Sequence, residues 1–228
     1  MVFIHDHPSP NHDARPEDGP IDILLLHYTG MESGLAALER LCDPAAKVSA
    51  HYLIEEDGTV LRLVPEHRRA WHAGMASWQG DSDINARSLG IELVNPGHEF
   101  GYRPFPEAQM AALIELSLCL VARHAIPRRR VLGHSDVAPL RKEDPGELFD
   151  WPRLAAAGLG LWPDKTDRGS EMEEEEAKRL LGRIGYGYLD DDLAAVLRAF
   201  QRRFRPSAVT GVLDGETAAL LRAVAGHT

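Results

Sequence analysis

The sequence predicts an α/β fold with a small helical domain at its C-terminus. Three observations carry this. Two nearly continuous apolar runs, Ile21 to Tyr28 (IDILLLHY) and Leu89 to Asn95 (LGIELVN), read as strands buried on both faces. Pro106 opens the clearest helix, running to His124, with Met110, Leu113, Ile114, Leu116, Leu118, Leu120 and Val121 over much of its circumference, so that it should be largely buried. From Ala177 onward only helical periodicity remains: Leu180, Leu181 and Ile184, then Leu193, Val196, Leu197, Phe200 and Phe204, then Thr217 to Val224.

In chain order, residues 1–20 are rich in Pro, Asp and His and read as an irregular arm. A domain over residues 21–163 begins with the first apolar strand. Ser33 suits the N-cap of a helix carrying Leu35, Leu38, Leu41 and Cys42. His51 to Glu55 and Thr59 to Val64 flank the hairpin signal Asp57-Gly58. Val131-Leu132 is a short strand leading into His134, Ser135 to Gly146 a loop, and Trp151 to Ala157 a short final helix. Residues 164–176 form a polar, then acidic linker. Its run Glu171 to Glu176 reads as the first turn of a solvated helix, where carboxylates suit the helix dipole. Residues 177–228 make the helical domain.

A length of 228 residues suits one medium domain plus a small one, and 44% hydrophobic residues allow a packed core. The net charge of −10 argues against nucleic acid as the main ligand, since phosphate neutralisation needs clustered Lys and Arg. Arg128-Arg129-Arg130 is the only dense basic run and reads as a solvated loop. Cys42 and Cys119 read as small hydrophobes, with no disulfide required. No apolar run spans a bilayer, so no membrane partner is expected. Met1 to Ile4 is followed at once by His5, Asp6, His7 and Pro8, without the basic and apolar segments of a secretory leader. A cytoplasmic monomer is the expectation; a leader missing from the sequence would make the protein periplasmic.

Of eleven histidines, most sit in the arm, in turns or at helix ends, and read as solvated. His27 and His134 differ, because each ends a strand, and a buried polar group needs a partner. With Asp144 they offer two imidazoles and a carboxylate, a three-ligand set that leaves a fourth zinc position open for chemistry. Spacing alone makes this a weak signal. By residue type, Glu92 reads as an outward-facing strand position and Lys142 as a solvated loop charge. Tyr52 and Trp71 read equally as core or as groove, and Arg87 as surface or groove.

Five stretches in order, HYTGM, SAHYLIEEDG, RAWHAG, SLGIELVN and GHSDVAPLRKEDPG, resemble the zinc-dependent N-acetylmuramoyl-L-alanine amidases of the type-2 class, the AmpD/AmiD-like family. That family is similar in shape to peptidoglycan recognition proteins. The resemblance covers about Ser9 to Pro163 and implies a mixed central sheet flanked by helices, with zinc at one sheet edge. It implies His27, His134 and Asp144 as zinc ligands, Glu92 as general base, and Lys142 as the cation that stabilises the oxyanion. It also places Tyr52, Trp71, His72, Asn85 and Arg87 along the substrate cleft.

FQRRF and GVLDGETAALL resemble a three-helix peptidoglycan-binding domain, departing from its pattern where Thr210, in place of an acidic residue, precedes Gly211. The whole implies an amidase cutting between N-acetylmuramic acid, or its 1,6-anhydro form, and L-alanine of the stem peptide. Its partners would be muropeptides or peptidoglycan fragments, and its setting cell-wall recycling. An exported wall amidase and a non-catalytic muropeptide sensor are the alternatives. Sensors on this fold typically lose a ligand, and all three candidates stand here. HExxH is absent, which argues against a zinc peptidase of that type.

Overall fold

The computed structural model describes residues 3–17, 19–163 and 170–227. Its elements run β1 (Ile4–Asp6), β2 (His12–Ala14), β3 (Ile23–Tyr28), α1 (Gly34–Cys42), β4 (Tyr52–Ile54), β5 (Val60–Arg62), β6 (Arg68–Ala70), α2 (Ile84–Arg87), β7 (Ser88–Leu93), α3 (Gly97–Phe100) and α4 (Glu107–His124). A 3-10 turn at Arg128–Arg130 precedes β8 (Val131–Gly133), α5 (His134–Val137), α6 (Trp151–Ala156), α7 (Glu174–Ile184), α8 (Leu193–Phe204) and α9 (Gly215–Ala225).

The central sheet has the order β1-β5-β4-β7-β3-β8, with β4 and β5 antiparallel and the other neighbours parallel. This is the mixed sheet flanked by helices that the family resemblance implies. The run ILLLHY of β3 is apolar at successive positions because both faces are covered. Leu24 and Leu26 pack with Leu89, Ile91 and the α4 residues Met110, Leu113 and Leu116. Ile23 and Leu25 face the other way, into a core shared with Leu180, Leu181, Phe200 and Leu221 of α7, α8 and α9. The C-terminal helices therefore complete one face of the sheet.

Two expectations are corrected. The N-terminal arm is not irregular: β1 pairs in parallel with β5, and β2 antiparallel with β6. Three-residue, largely exposed strands carry no alternation to read; β1 takes up the open edge of β5, and β2 forms a separate two-stranded ribbon with β6. Asn11 fixes the arm by donating to Asp43 O (2.8 Å) and Val48 O (2.9 Å). Helix α4 buries one stripe rather than most of its circumference. It lies on a single sheet face, and Leu118 is 44% exposed. Elsewhere the caps and turns follow the sequence: Ser33 Oγ accepts from Ala36 N–H at 3.2 Å, and three glutamates fill the first turn of α7. Cys42 and Cys119 are free. The first part of the expected linker, residues 164–169, lies outside the described residues. No helix among the described residues is long and apolar enough to cross a membrane.

The shared core has a measurable consequence. Phe200 is fully buried where α8 meets the sheet. Phe200→Ala should lower stability by roughly 3–5 kcal/mol. The parent should unfold in a single transition, with tryptophan fluorescence and far-ultraviolet circular dichroism coinciding in a urea titration. Separate transitions would show two independent cores.

Candidate active site

Strand register assembles the site. His27 of β3 lies beside Glu92 of β7, and Leu26 beside Gly133, so His134 follows in line with His27. Matched positions on neighbouring strands point to one face. That face is the one opposite α4. After β8 the chain makes a single helical turn, α5, where the sequence suggests only loop. The turn forms because Asp136 Oδ2 accepts from Gly133 N–H (2.8 Å). The following loop returns to bring Asp144 against both histidines, and Ser135 N–H donates to Asp144 O at 2.9 Å.

Three donor atoms converge. His27 Nδ1 and His134 Nδ1 are 2.9 Å apart, and Asp144 Oδ2 lies 3.1 Å from the first and 3.0 Å from the second. All three residues are at most 5% exposed. They are the metal-capable cluster found among the described residues. A tetrahedral shell with bonds of about 2.0 Å sets donor atoms roughly 3.3 Å apart, so the triangle fits zinc. Two imidazoles and one carboxylate also suit zinc in donor type.

Hydrogen bonds orient the rings for this. His134 Nε2–H donates to Ala73 O (3.0 Å). With His27 Nδ1 turned to the triangle, its Nε2–H donates to His72 Nδ1 (3.0 Å). His72 Nε2–H then donates to Ser88 Oγ (3.2 Å), whose hydroxyl donates to Ile84 O (2.6 Å). Each bond fixes the next tautomer, as is usual behind metal-bound histidines. His72 reaches this place only because residue 90 is glycine: a Cβ there would stand 2.6 Å from the imidazole.

A cavity of about 190 Å³ lies over the triangle, and Tyr28, Met31, Glu92 and Lys142 line it together with His134 and Asp144. A second recess of about 300 Å³ shares Tyr28, Lys142 and Asp144 and extends toward His98 and Arg141. A larger hollow, about 650 Å³, lies near Asp6, Glu66 and His124, away from the triangle. Glu92 Oε2 is shut off from solvent and has no hydrogen-bond partner among the described residues.

Burial pushes the Glu92 carboxyl well above its ordinary range, and the nearby Asp144 adds to this. His27 is pushed down to about 4, first by burial and then by the His134 imidazole. His72 is held well below its usual value by burial and the adjacent His27, and His51 is lowered to about 3 by burial and Arg15. For Asp144, burial acts upward, but the two imidazoles beside it hold the carboxylate well below its ordinary value.

The sequence-derived cleft residues divide. His72 lines the cavity. Asn85 is an anchor beneath it, its Oδ1 accepting from His72 N–H (3.0 Å) and Ala73 N–H (2.8 Å). Tyr52 is not a groove residue: it is 1% exposed in the sheet core, its hydroxyl donating to Glu66 Oε1 (2.7 Å). Strand β4 is central, so both its faces are covered. Arg87 points away from the cavity into ion pairs with Asp22 and Asp81. Trp71 is half-buried and absent from the cavity lining. Sequence reasoning passed over Asp136, Tyr186 and Arg203, although two of them stand inside quoted motifs, GHSD and FQRRF.

A mixed sheet carrying a metal-capable donor triangle, a perturbed carboxyl and a lysine at its strand ends defines a hydrolytic site. The model of the N-acetylmuramoyl-L-alanine amidase family matches residues 17–147, and that of a peptidoglycan binding domain matches residues 173–221. The chain belongs to the N-acetylmuramoyl-L-alanine amidase family. N-acetylmuramoyl-L-alanine amidase AmiD of Escherichia coli K12 is 37% identical over 90% of this chain and 82% of its own length. The complex of the Escherichia coli AmiD with the substrate anhydro-N-acetylmuramic acid-L-Ala-D-gamma-Glu-L-Lys is similar with a TM-score of 0.81 at 33% identity, covering 93% of this chain and 92% of that one. AmpDh3 from Pseudomonas aeruginosa, in complex with anhydromuramic pentapeptide, gives 0.82 at 32% identity, covering 94% and 95%. 1,6-anhydro-N-acetylmuramyl-L-alanine amidase AmpD of Enterobacter cloacae is 37% identical over 68% of this chain and 90% of its own length.

The shifted groups give a signed pH dependence. His27, His51 and His72 stay neutral when folded but charge when unfolded below about 6.5. Glu92 does the reverse, keeping its proton where the unfolded chain loses it. The histidines outnumber it. Metal-free protein should therefore lose stability as pH falls from about 6.5 toward 4, by roughly 1.4 kcal/mol per pH unit for each net proton taken up on unfolding. Glu92→Gln should steepen that slope and raise stability at neutral pH. Urea midpoints across this range check both signs.

Proposed function

We propose that the chain hydrolyses the amide between N-acetylmuramic acid, its 1,6-anhydro form included, and L-alanine of the stem peptide, with zinc held by His27, His134 and Asp144. The carrying observation is that Glu92 and Lys142 line one cavity with His134 and Asp144, whose donor atoms cluster with that of His27. All five groups come from one chain, so a monomer suffices. Zinc at such a site supplies a Lewis acid and lowers the pKa of a water molecule.

The rest falls to the protein's own side chains. Glu92 acts as proton shuttle, taking a proton from the attacking water and delivering it to the departing amine of L-alanine. A carboxyl raised by burial, with one oxygen unpartnered, suits both transfers. The Lys142 ammonium offsets the negative charge that grows on the scissile carbonyl oxygen. His72 holds His27, and Asn85 holds the backbone of His72. The Tyr28 and His98 side of the second recess receives the remainder of the fragment.

The relatives named above that bind anhydromuramyl peptides support a soluble wall fragment as substrate and a recycling role, for which the cytoplasm is the first reading of the setting. The match of residues 173–221 to a peptidoglycan binding domain favours the second reading, an exported amidase acting on the wall. Fractionation of the native protein separates the two. We assign 21–163 to the catalytic unit, with the arm's β1 extending its sheet, and the residues from Glu174 onward, three earlier than 177, to the helical unit.

Zinc-loaded protein incubated with an anhydromuramyl peptide should release free stem peptide, measured by chromatography. Glu92→Gln should lower kcat by about 10²–10⁴-fold and Lys142→Ala by about 10²–10³-fold, both with zinc content unchanged. Asp144→Ala should lose the metal. Stoichiometric binding of the peptide by zinc-loaded protein without turnover would overturn the enzymatic reading in favour of a sensor.

A further inference from the structure

One carboxylate outside the donor triangle is satisfied from the far end of the chain. Asp136 stands two residues after His134 and is 1% exposed. Its Oδ2 accepts from Gly133 N–H, directly before His134, and from Arg203 Nη1 (2.7 Å). Its Oδ1 accepts from the Tyr186 hydroxyl (2.6 Å). Arg203 lies on α8, and Tyr186 just after α7. Both are buried, 4% and 3% exposed.

Arg203 has a single defined seat. Its guanidinium lies over the Trp151 ring, 4.0 Å from the centroid, and its Nη2 donates to Val131 O at the start of β8 (3.1 Å). Tyr186 packs edge-on against Trp78 with ring centroids 5.1 Å apart. The turn carrying His134 is thus held on one flank by Asp136 and on the other by the bond from Ser135 N–H to Asp144 O. Apart from the turn's own Gly133 N–H, the donors on Asp136 come from the C-terminal helical unit.

We propose that Arg203 and Tyr186 are positioning residues for the metal site, acting through Asp136 on His134. The C-terminal unit is then part of the catalytic apparatus, whatever else it binds. This rests on reading His134 as a metal ligand. The reason is geometric. A carboxylate at this depth with its cation removed is left uncompensated and turns toward other donors, which releases Gly133 N–H and the turn it caps. His134 Nδ1 then leaves its place 3.0 Å from Asp144 Oδ2. A residue that only packs would not shift the donor triangle.

The test measures zinc retention by the full chain in competition with a chromophoric chelator, alongside kcat and KM. Tyr186→Phe should weaken zinc binding several-fold. Arg203→Met should weaken it by about 10–100-fold, the usual range for groups that orient a ligand, with kcat falling more than KM changes. Arg203→Lys should fall between Arg203→Met and the parent, because it restores the charge without the planar fork. Arg205→Met breaks ion pairs with Asp214 and Glu216 inside the helical unit and should leave zinc retention unchanged. Should Arg203→Met fail to fold, Tyr186→Phe and Arg203→Lys decide. If those two hold zinc as tightly as the parent while His134→Ala loses it, the positioning role is overturned. If His134→Ala holds zinc like the parent, the ligand reading itself fails, and this proposal with it.

Discussion

Three donor atoms held within about 3 Å of one another, out of water, set the central constraint of this fold. Two imidazole lone pairs and a carboxylate oxygen do not attract one another. Without an ion or a shared proton between them they relax apart unless something stiff prevents it. The surrounding structure is that stiffness. β3 contributes His27 from between β7 and β8, and is paired in parallel with both. Around it, the chain His27–His72–Ser88–Ile84 turns one ring, Ala73 O turns the other, and backbone bonds tie the Asp144 loop to the His134 turn. On the proposed reading, metal affinity is a property of this pre-arrangement, since a ligand set that has to be gathered on binding loses affinity to the gathering.

The same depth that concentrates the donors shapes their electrostatics. Burial keeps His27 neutral, which is the form that binds a metal, and it keeps Glu92 from surrendering its proton easily. Both follow from one low-dielectric pocket, with opposite consequences for a base that becomes positive and an acid that becomes negative. The protein carries a net charge of −10, yet Lys142, Arg40 and Arg141 gather around the two recesses. Glu92, Glu99, Glu143 and Asp144 stand among them, so the recesses carry both signs of charge.

Much of this was legible in the chain, for physical reasons that also mark where legibility stops. A continuous apolar run is a strong signal, so β3, β7 and the strand ends that carry His27 and Glu92 could be read directly. Asp57-Gly58, Ser33 and Pro106 announced their turn and helix starts because their chemistry is local. The donor set was only a weak pattern until five ordered motifs surrounded it. The failures are non-local. β1 exists because the open edge of β5 lies in reach and β2 because β6 does, and nothing in Ile4–Asp6 or His12–Ala14 says so. Tyr52 sits in a motif stretch and Arg87 directly before one, but a central strand buries the first and Asp22 draws away the second. Asp136 and Arg203 stand 67 positions apart, and their pairing follows from packing alone.

That pairing changes how the C-terminal helices are to be understood. A wall-binding module is ordinarily pictured on a tether, swinging relative to its catalytic partner, because most interfaces between domains are modest and polar. Here α7, α8 and α9 share an apolar core with Ile23, Leu25 and Leu132 of the sheet, and a buried ion pair crosses the same boundary. Hydrophobic burial is tolerant of small slides, but a guanidinium seated on Trp151 and bonded to both Asp136 and Val131 is not. The ion pair therefore fixes the register that the apolar contact leaves loose. A catalytic unit and a binding unit joined in this way behave as a single rigid tool.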